Sequence, residues 1–329
     1  MIRTQIIYSH NILGEFISGS IKMTTTTIWS WAKHLAAVLG LAALTACDSG
    51  SNSAAPPVPE KQSGTQDTLQ AAKAAGRIRI GYANEAPYAF MDSQKARVTG
   101  EAVEVARVVL KRMGINEVEG VLTEFGSLIP GLQAKRFDII AAGMYVTPER
   151  CQQVAFSNPT YGVDEGFLVP KGNPKQLHSF EDVANKEDVK LGVVVGAIEA
   201  DYARQSKVGA GQMVVFPDAV SAFAGVQAGR ADAYAATALT INDLLNKTDG
   251  GGGMERAQPF KNPVIDGKET RGYGAFAFRK EDKAFADAFN AELAKFIGTE
   301  EHAKLVAPFG FTKAELPGEM TAAKLCGTP

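Results

Sequence analysis

The chain has 329 residues, with 34 Lys and Arg against 36 Asp and Glu, for a net charge of -2. That near-balance leaves no electrostatic footprint for nucleic acid and no basic block for an anionic lipid surface. A hydrophobic content of 45% is ordinary for a globular protein, so the chain has a real core to bury and the length for one large domain or two lobes.

Taken in chain order, the first informative segment is Leu35–Ala43, a continuous apolar run behind Lys33 and His34. It is too short for a bilayer-spanning helix, which needs ~20 apolar residues, but it suits a secretory signal. The run closes on Leu44-Thr45-Ala46-Cys47, which resembles a bacterial lipobox. The resemblance implies lipid on the Cys47 thiol, Cys47 as mature N-terminus, and a protein held on the outer face of the cytoplasmic membrane. Residues 1–22 fit no processing logic, and Met23 makes the more natural start of a signal. Residues 1–46 are therefore read as an upstream segment plus signal peptide. Residues 47–68 follow as a lipidated tether, rich in Ser, Pro and Gly with almost nothing to bury.

From Leu69 onward, short apolar strands alternate with helical patterns, which predicts an α/β fold. The expected strands are Arg77–Ala83, Asp138–Gly143, Lys190–Gly196, Met213–Pro217, Ala231–Ala235 and Tyr273–Arg279. Val103, Ala106, Leu110 and Met113 share one helical face, and Ser127–Lys135 is a short amphipathic segment. Ser179 and Asp182 are spaced as a helix-opening box, and Ala219–Ala228 stops at Gly229. Phe285, Ala288, Phe289, Glu292 and Phe296 form one stripe of a helix ending at Gly298, and read as core. With Cys47 assigned to lipid, Cys151 and Cys326 remain as an even pair in an oxidising compartment; a disulfide and two separate thiols both fit. No metal-ligand spacing, nucleophile elbow or paired-carboxylate motif stands out, so no cofactor and no catalytic activity are expected.

The order of landmarks carries more. Ile80-Gly81-Tyr82 and Pro87-Tyr88 follow the first strand, then come Gly100-Glu101, Phe125, and Ile129-Pro130-Gly131-Leu132. Arg136-Phe137-Asp138, Thr147-Pro148-Glu149-Arg150 and Phe156-Ser157-Asn158-Pro159-Thr160-Tyr161 complete the series. Together they resemble the extracytoplasmic solute-binding proteins of polar amino-acid ABC importers, over about residues 69–329. Within that family, Ala83-Asn84-Glu85-Ala86-Pro87-Tyr88, Leu122–Gly126, Ala141–Tyr145, Pro148–Cys151 and Lys324-Leu325-Cys326 are closer to the ectoine/hydroxyectoine-binding branch.

The resemblance implies a two-lobed fold of the type II periplasmic-binding kind, each lobe a mixed sheet flanked by helices, with the ligand cleft between lobes. Lobe one is expected over 69–170 and 274–329, lobe two over 171–273. Such a protein works as a monomer that hands a small solute to a membrane permease. For a zwitterion pairing a carboxylate with a delocalised amidinium, the expected ligand residues are Arg150 as carboxylate fork and Tyr88, Phe125 and Tyr145 as aromatic faces. Glu85 is the candidate acceptor for ring N–H groups, although a solvated loop carboxylate is the commoner fate of glutamate. On the second lobe the turn Gly196-Ala197-Ile198 lacks the threonines of α-amino-acid binders, which leaves main-chain groups of Gly196 and Ala197 to stand in, and Thr237 takes the place of their ammonium-binding aspartate. With no acid there, an α-ammonium is expected to bind poorly. The alternatives are another zwitterion, such as a betaine or polar amino acid, and a dehydratase-like enzyme of the same fold.

Overall fold

A computed structural model describes residues 67–265 and 267–327. Cys47 and nearly all of the expected tether lie outside the described residues. Thr68, assigned above to the tether, instead opens the helix Thr68–Ala75, with Asp67 accepting from the Leu69 amide at the cap.

Two five-stranded mixed sheets organise the chain. In the first, Arg77–Tyr82 pairs in parallel with Glu117–Leu122 on one side and with Ile139–Ile140 on the other. Ala277–Phe278 then joins antiparallel, between Ile139–Ile140 and Ala155–Phe156. In the second, Leu191–Val194 runs parallel to Met213–Phe216 and to Ala233–Thr237, while Glu165–Pro170 lies antiparallel between Ala233–Thr237 and Met254–Arg256. Two antiparallel strands outside both sheets, Tyr161–Val163 and Gly272–Gly274, carry the chain from one lobe to the other and back.

This placement corrects a boundary. Residues 165–170, expected in the first lobe, are an internal strand of the second sheet, buried from Glu165 through Val169. A continuous apolar run has no period to mark it as a strand. Glu117–Leu122 was missed for the opposite reason: an edge strand half in water, with Leu122 61% exposed, shows little apolar signal. The single strand expected over Tyr273–Arg279 is two, because the chain leaves its crossing partner after Gly274 and pairs into the first sheet at Ala277.

The helical readings translate into packing. Glu101–Arg112 buries Val103, Ala106, Val109 and Leu110 against the first sheet's core, and its basic last turn suits the helix dipole. Phe285, Phe289 and Phe296 fill the same core, where Phe278 sits edge-on to Phe285 and Phe289. A second core, around Phe167, Phe180, Leu191 and Val193, belongs to the other lobe. A third joins them, packing Phe125, Ile140 and Met144 with Val194, Phe216 and Tyr234. Cys151 and Cys326 are bonded, which ties the C-terminal helix Ala322–Leu325 to the helical turn Pro148–Cys151. Among the described residues no helix is long and apolar enough to cross a membrane.

Candidate functional site

The cavity between the lobes is built from strand ends and the loops that follow them. Glu85 and Tyr88 come from the loop after Arg77–Tyr82, and Phe125 from the turn after Glu117–Leu122. Tyr145 follows Ile139–Ile140, and Arg150 lies in Pro148–Cys151, a helical turn capped by the Thr147 hydroxyl. From the other lobe come Val194, Ala197, Ile198, Glu199, Tyr234 and Thr237. With Gly143 these residues line one cleft between the lobes.

Arg150 is 9% exposed and makes no ion pair among the described residues, so it is not the surface arginine paired with Glu149 that its helix position also allowed. Its Nη1 donates to the Tyr145 carbonyl at 2.9 Å and its Nη2 to the Gly196 carbonyl at 3.0 Å, one contact in each lobe. The guanidinium carbon stands 5.5 Å from the Phe125 ring centre. Two backbone bonds leave further guanidinium donors facing the cavity, enough for a carboxylate.

Opposite, a chain of hydroxyls crosses the cleft. Tyr88 Oη donates to Thr237 Oγ1 at 2.7 Å, Thr237 Oγ1 to Thr240 Oγ1 at 3.1 Å, and Thr240 Oγ1 to Glu85 Oε1 at 2.8 Å. The chain begins and ends in the first lobe and passes through the second. Burial pushes the Glu85 carboxyl up to about 7, against the lowering effect of the Thr240 bond.

Every residue expected to touch ligand lines the cavity except Gly196, which borders it and serves Arg150 through its carbonyl. Gly143, Val194, Glu199 and Tyr234 line it unforeseen. Glu199 was legible only as a carboxylate in the first turn of a helix, where acids usually serve the dipole. Thr237 lines the cavity where an ammonium-binding acid was expected to be missing, yet carboxyls line it elsewhere. Glu85 and Glu199 both line the cavity, and the buried Glu165 interacts with both. Burial raises Glu199 to about 7, with the Glu85 charge adding and the Glu165 bond opposing, and holds Glu165 well above the ordinary carboxylate range, where the Glu199 charge adds to it. Among the described residues no cluster of His, Cys, Asp and Glu has the arrangement of a metal site.

Behind the cavity, Glu101 is 1% exposed and burial pushes its carboxyl from 4.5 up to about 8. The folded form therefore keeps a proton that the unfolded chain sheds above about pH 4.5. Folding takes up protons in that window, so this contribution is most favourable at low pH and is lost as pH climbs through about 8. Glu85 and Glu199 act in the same sense; His302, which burial holds below its ordinary value, acts oppositely as pH falls. Glu101→Gln is accordingly expected to remove a cost on the order of a few kcal/mol near pH 8. Calorimetric melting from about pH 5 to about pH 8 should show a shallower decline in the variant than in the wild type; equal slopes would remove Glu101 from the account.

Comparison with known proteins agrees with this geometry. Residues 78–312 match the model of the bacterial extracellular solute-binding proteins, family 3. The chain is 42% identical over 263 residues to a probable amino-acid ABC transporter periplasmic-binding protein, y4tE, of Sinorhizobium fredii, covering 79% of this chain and 86% of that one. An L-arginine-binding protein of Pseudomonas aeruginosa is 29% identical over 222 residues, 66% of this chain and 81% of its own. Among solved structures, EhuB in complex with hydroxyectoine superimposes with a TM-score of 0.72 at 38% identity, covering 79% of this chain and 98% of that one.

Proposed function

Because the chain belongs to the bacterial extracellular solute-binding proteins of family 3, we propose that its cleft captures ectoine or hydroxyectoine for delivery to an ABC permease. The observation that carries this reading is Arg150 facing Glu85 across an aromatic-walled cavity. Arg150 takes the solute's carboxylate in its open fork. Tyr88, Phe125 and Tyr145 flank the delocalised ring cation, each face contributing ~0.5–2 kcal/mol, while Glu85 accepts the ring N–H groups. Likeness to EhuB, described in complex with hydroxyectoine, supports the same ligand class. The protein works as a monomer, one solute per cleft, with the two crossing strands as its hinge and Cys47 as its lipid anchor. It binds and releases its solute without altering it.

One observation favours a second reading. Two carboxyls, Glu85 and Glu199, line the cavity with the single guanidinium of Arg150, and the buried Glu165 interacts with both; that excess suits a cationic amino acid such as the arginine bound by the Pseudomonas relative. A dye-based thermal shift separates the two. A solute present at about a hundred times its Kd stabilises by about 2.7 kcal/mol, which is several degrees in Tm. Ectoine and hydroxyectoine are expected to raise Tm, with glycine betaine and L-arginine near baseline. A shift with L-arginine alone would decide for the second reading.

A further inference from the structure

Thr240 stands outside the cavity yet bonds to one of the residues that face it. It is fully buried, lies in the helix Ala238–Lys247 of the second lobe and does not line the cavity. Its hydroxyl nevertheless reaches across the cleft and donates to Glu85 Oε1 at 2.8 Å. Each hydroxyl owns one proton, so the bonds behind it must run in a single sense. An ionised carboxylate only accepts, so Thr240 gives its proton to Glu85 and takes one from Thr237 at 3.1 Å. Thr237, its own proton spent, takes one from Tyr88 at 2.7 Å. Thr237 is also the cap of the helix, where its oxygen accepts from the Thr240 amide at 3.1 Å, so the helix start holds the two threonines in fixed relation. Glu85 makes no ion pair among the described residues. Burial pushes its carboxyl up to about 7, and the Thr240 bond is what favours the charged form. The other groups that interact with it, Tyr88, Tyr161, Tyr234, Glu165 and Glu199, bring no positive charge, and the Arg150 guanidinium stands across the cavity.

We infer that Thr240 is a positioning residue for solute binding: when the lobes close, its hydroxyl, aligned by Thr237 and Tyr88, fixes Glu85 as the acceptor that meets the cationic end of the solute. The inference rests on the ectoine-type reading and assigns a residue of the second lobe its part in that site. Its chemistry is that of a charge-assisted bond. With Oε1 taken by Thr240, the carboxyl is held in one orientation and Oε2 is left to accept a ring N–H. Because Thr240 belongs to the far lobe, Glu85 acquires this partner only in the closed form. Part of the grip on the solute therefore arrives with closure, through a residue that never touches it.

Titration calorimetry of the intact chain with ectoine and hydroxyectoine, at about pH 8 and about pH 5, tests this. The variants are Thr240→Val, which keeps the shape and loses the hydroxyl, and Thr240→Ser, which keeps the hydroxyl. Thr240→Val is expected to bind about tenfold more weakly at about pH 8, where Glu85 is ionised, because a hydrogen bond to a charged group is the stronger kind. At about pH 5 the loss should shrink to within about threefold, since a protonated Glu85 gains less from the same hydroxyl. Glu165 and Glu199 titrate in wild type and variant alike, so their effect cancels in this ratio. Thr240→Ser should stay within about threefold of wild type at both pH values. In a Glu85→Gln background, the loss from Thr240→Val should fall to within about twofold, as expected of two residues acting through one bond. Should Thr240→Val not fold, Thr240→Ala read against Thr240→Ser carries the same comparison. No loss in the hydroxyl-free variant, a loss equal at both pH values, or a loss undiminished in Glu85→Gln overturns the positioning role while leaving the ectoine-type reading intact. A folded wild type that binds neither solute overturns both.

Discussion

Arg150→Ala is expected to abolish most solute binding, with a loss of about 2–5 kcal/mol, or roughly thirtyfold to several thousandfold in Kd. The magnitude follows from burial. A carboxylate carried into this cavity meets a guanidinium 9% exposed, and without it no other cationic side chain lines the cavity among the described residues. The same change also breaks the bridge from the Tyr145 carbonyl to the Gly196 carbonyl, which links the lobes. Arg150→Lys should recover only part of the affinity, because an ammonium cannot span two carbonyls and a carboxylate in one plane. Titration calorimetry checks both variants, and affinity unchanged in Arg150→Ala would remove the residue from the site.

Gly196→Ala is the second large effect, and it acts on closure. Gly196 has φ +74, which L side chains rarely adopt, and a Cβ there would stand 2.5 Å from the Cα of Gly126 in the facing lobe. Backbone cannot yield as a side-chain tip can, so the lobes should stop short of contact. The substitution then favours an open form in which Arg150, Glu85 and Thr237 no longer converge, and apparent affinity falls by the fraction of closed molecules lost. A weakening of about tenfold to a hundredfold is expected. Small-angle scattering should find a radius of gyration that no longer contracts on adding solute. Wild-type affinity and full contraction in Gly196→Ala would show that the close approach at Gly126 is not needed.

The cavity's first-lobe half was legible because its residues sit in loops with recognisable neighbours. Pro87 marks the turn carrying Glu85 and Tyr88, and Thr147-Pro148 marks the capped helical turn carrying Arg150. The second-lobe half was harder. Val194 and Tyr234 belong to strands whose residues are nearly all buried, so nothing in their local pattern separates a cavity wall from a core. Glu199 looked like an ordinary first-turn acid, and Glu165 disappeared into an apolar run that also misled the lobe boundary. The hydroxyl chain through Thr237 and Thr240 was invisible for a different reason. It joins residues about 150 positions apart, and only the tertiary fold brings Tyr88 and Glu85 to them. The bond between Cys151 and Cys326 was open on spacing alone, since 175 positions of separation say nothing of distance.

The account turns on a single small zwitterion being gripped at both ends, its carboxylate by Arg150 and its ring N–H groups by Glu85. Titration of ectoine and L-arginine side by side into the intact chain, with Glu85→Gln as the companion variant, addresses that most directly. The expected result is one ectoine per chain, weakened at least about tenfold in Glu85→Gln, with no measurable heat from L-arginine. Saturable binding of L-arginine with none of ectoine, or ectoine affinity indifferent to Glu85, would contradict it.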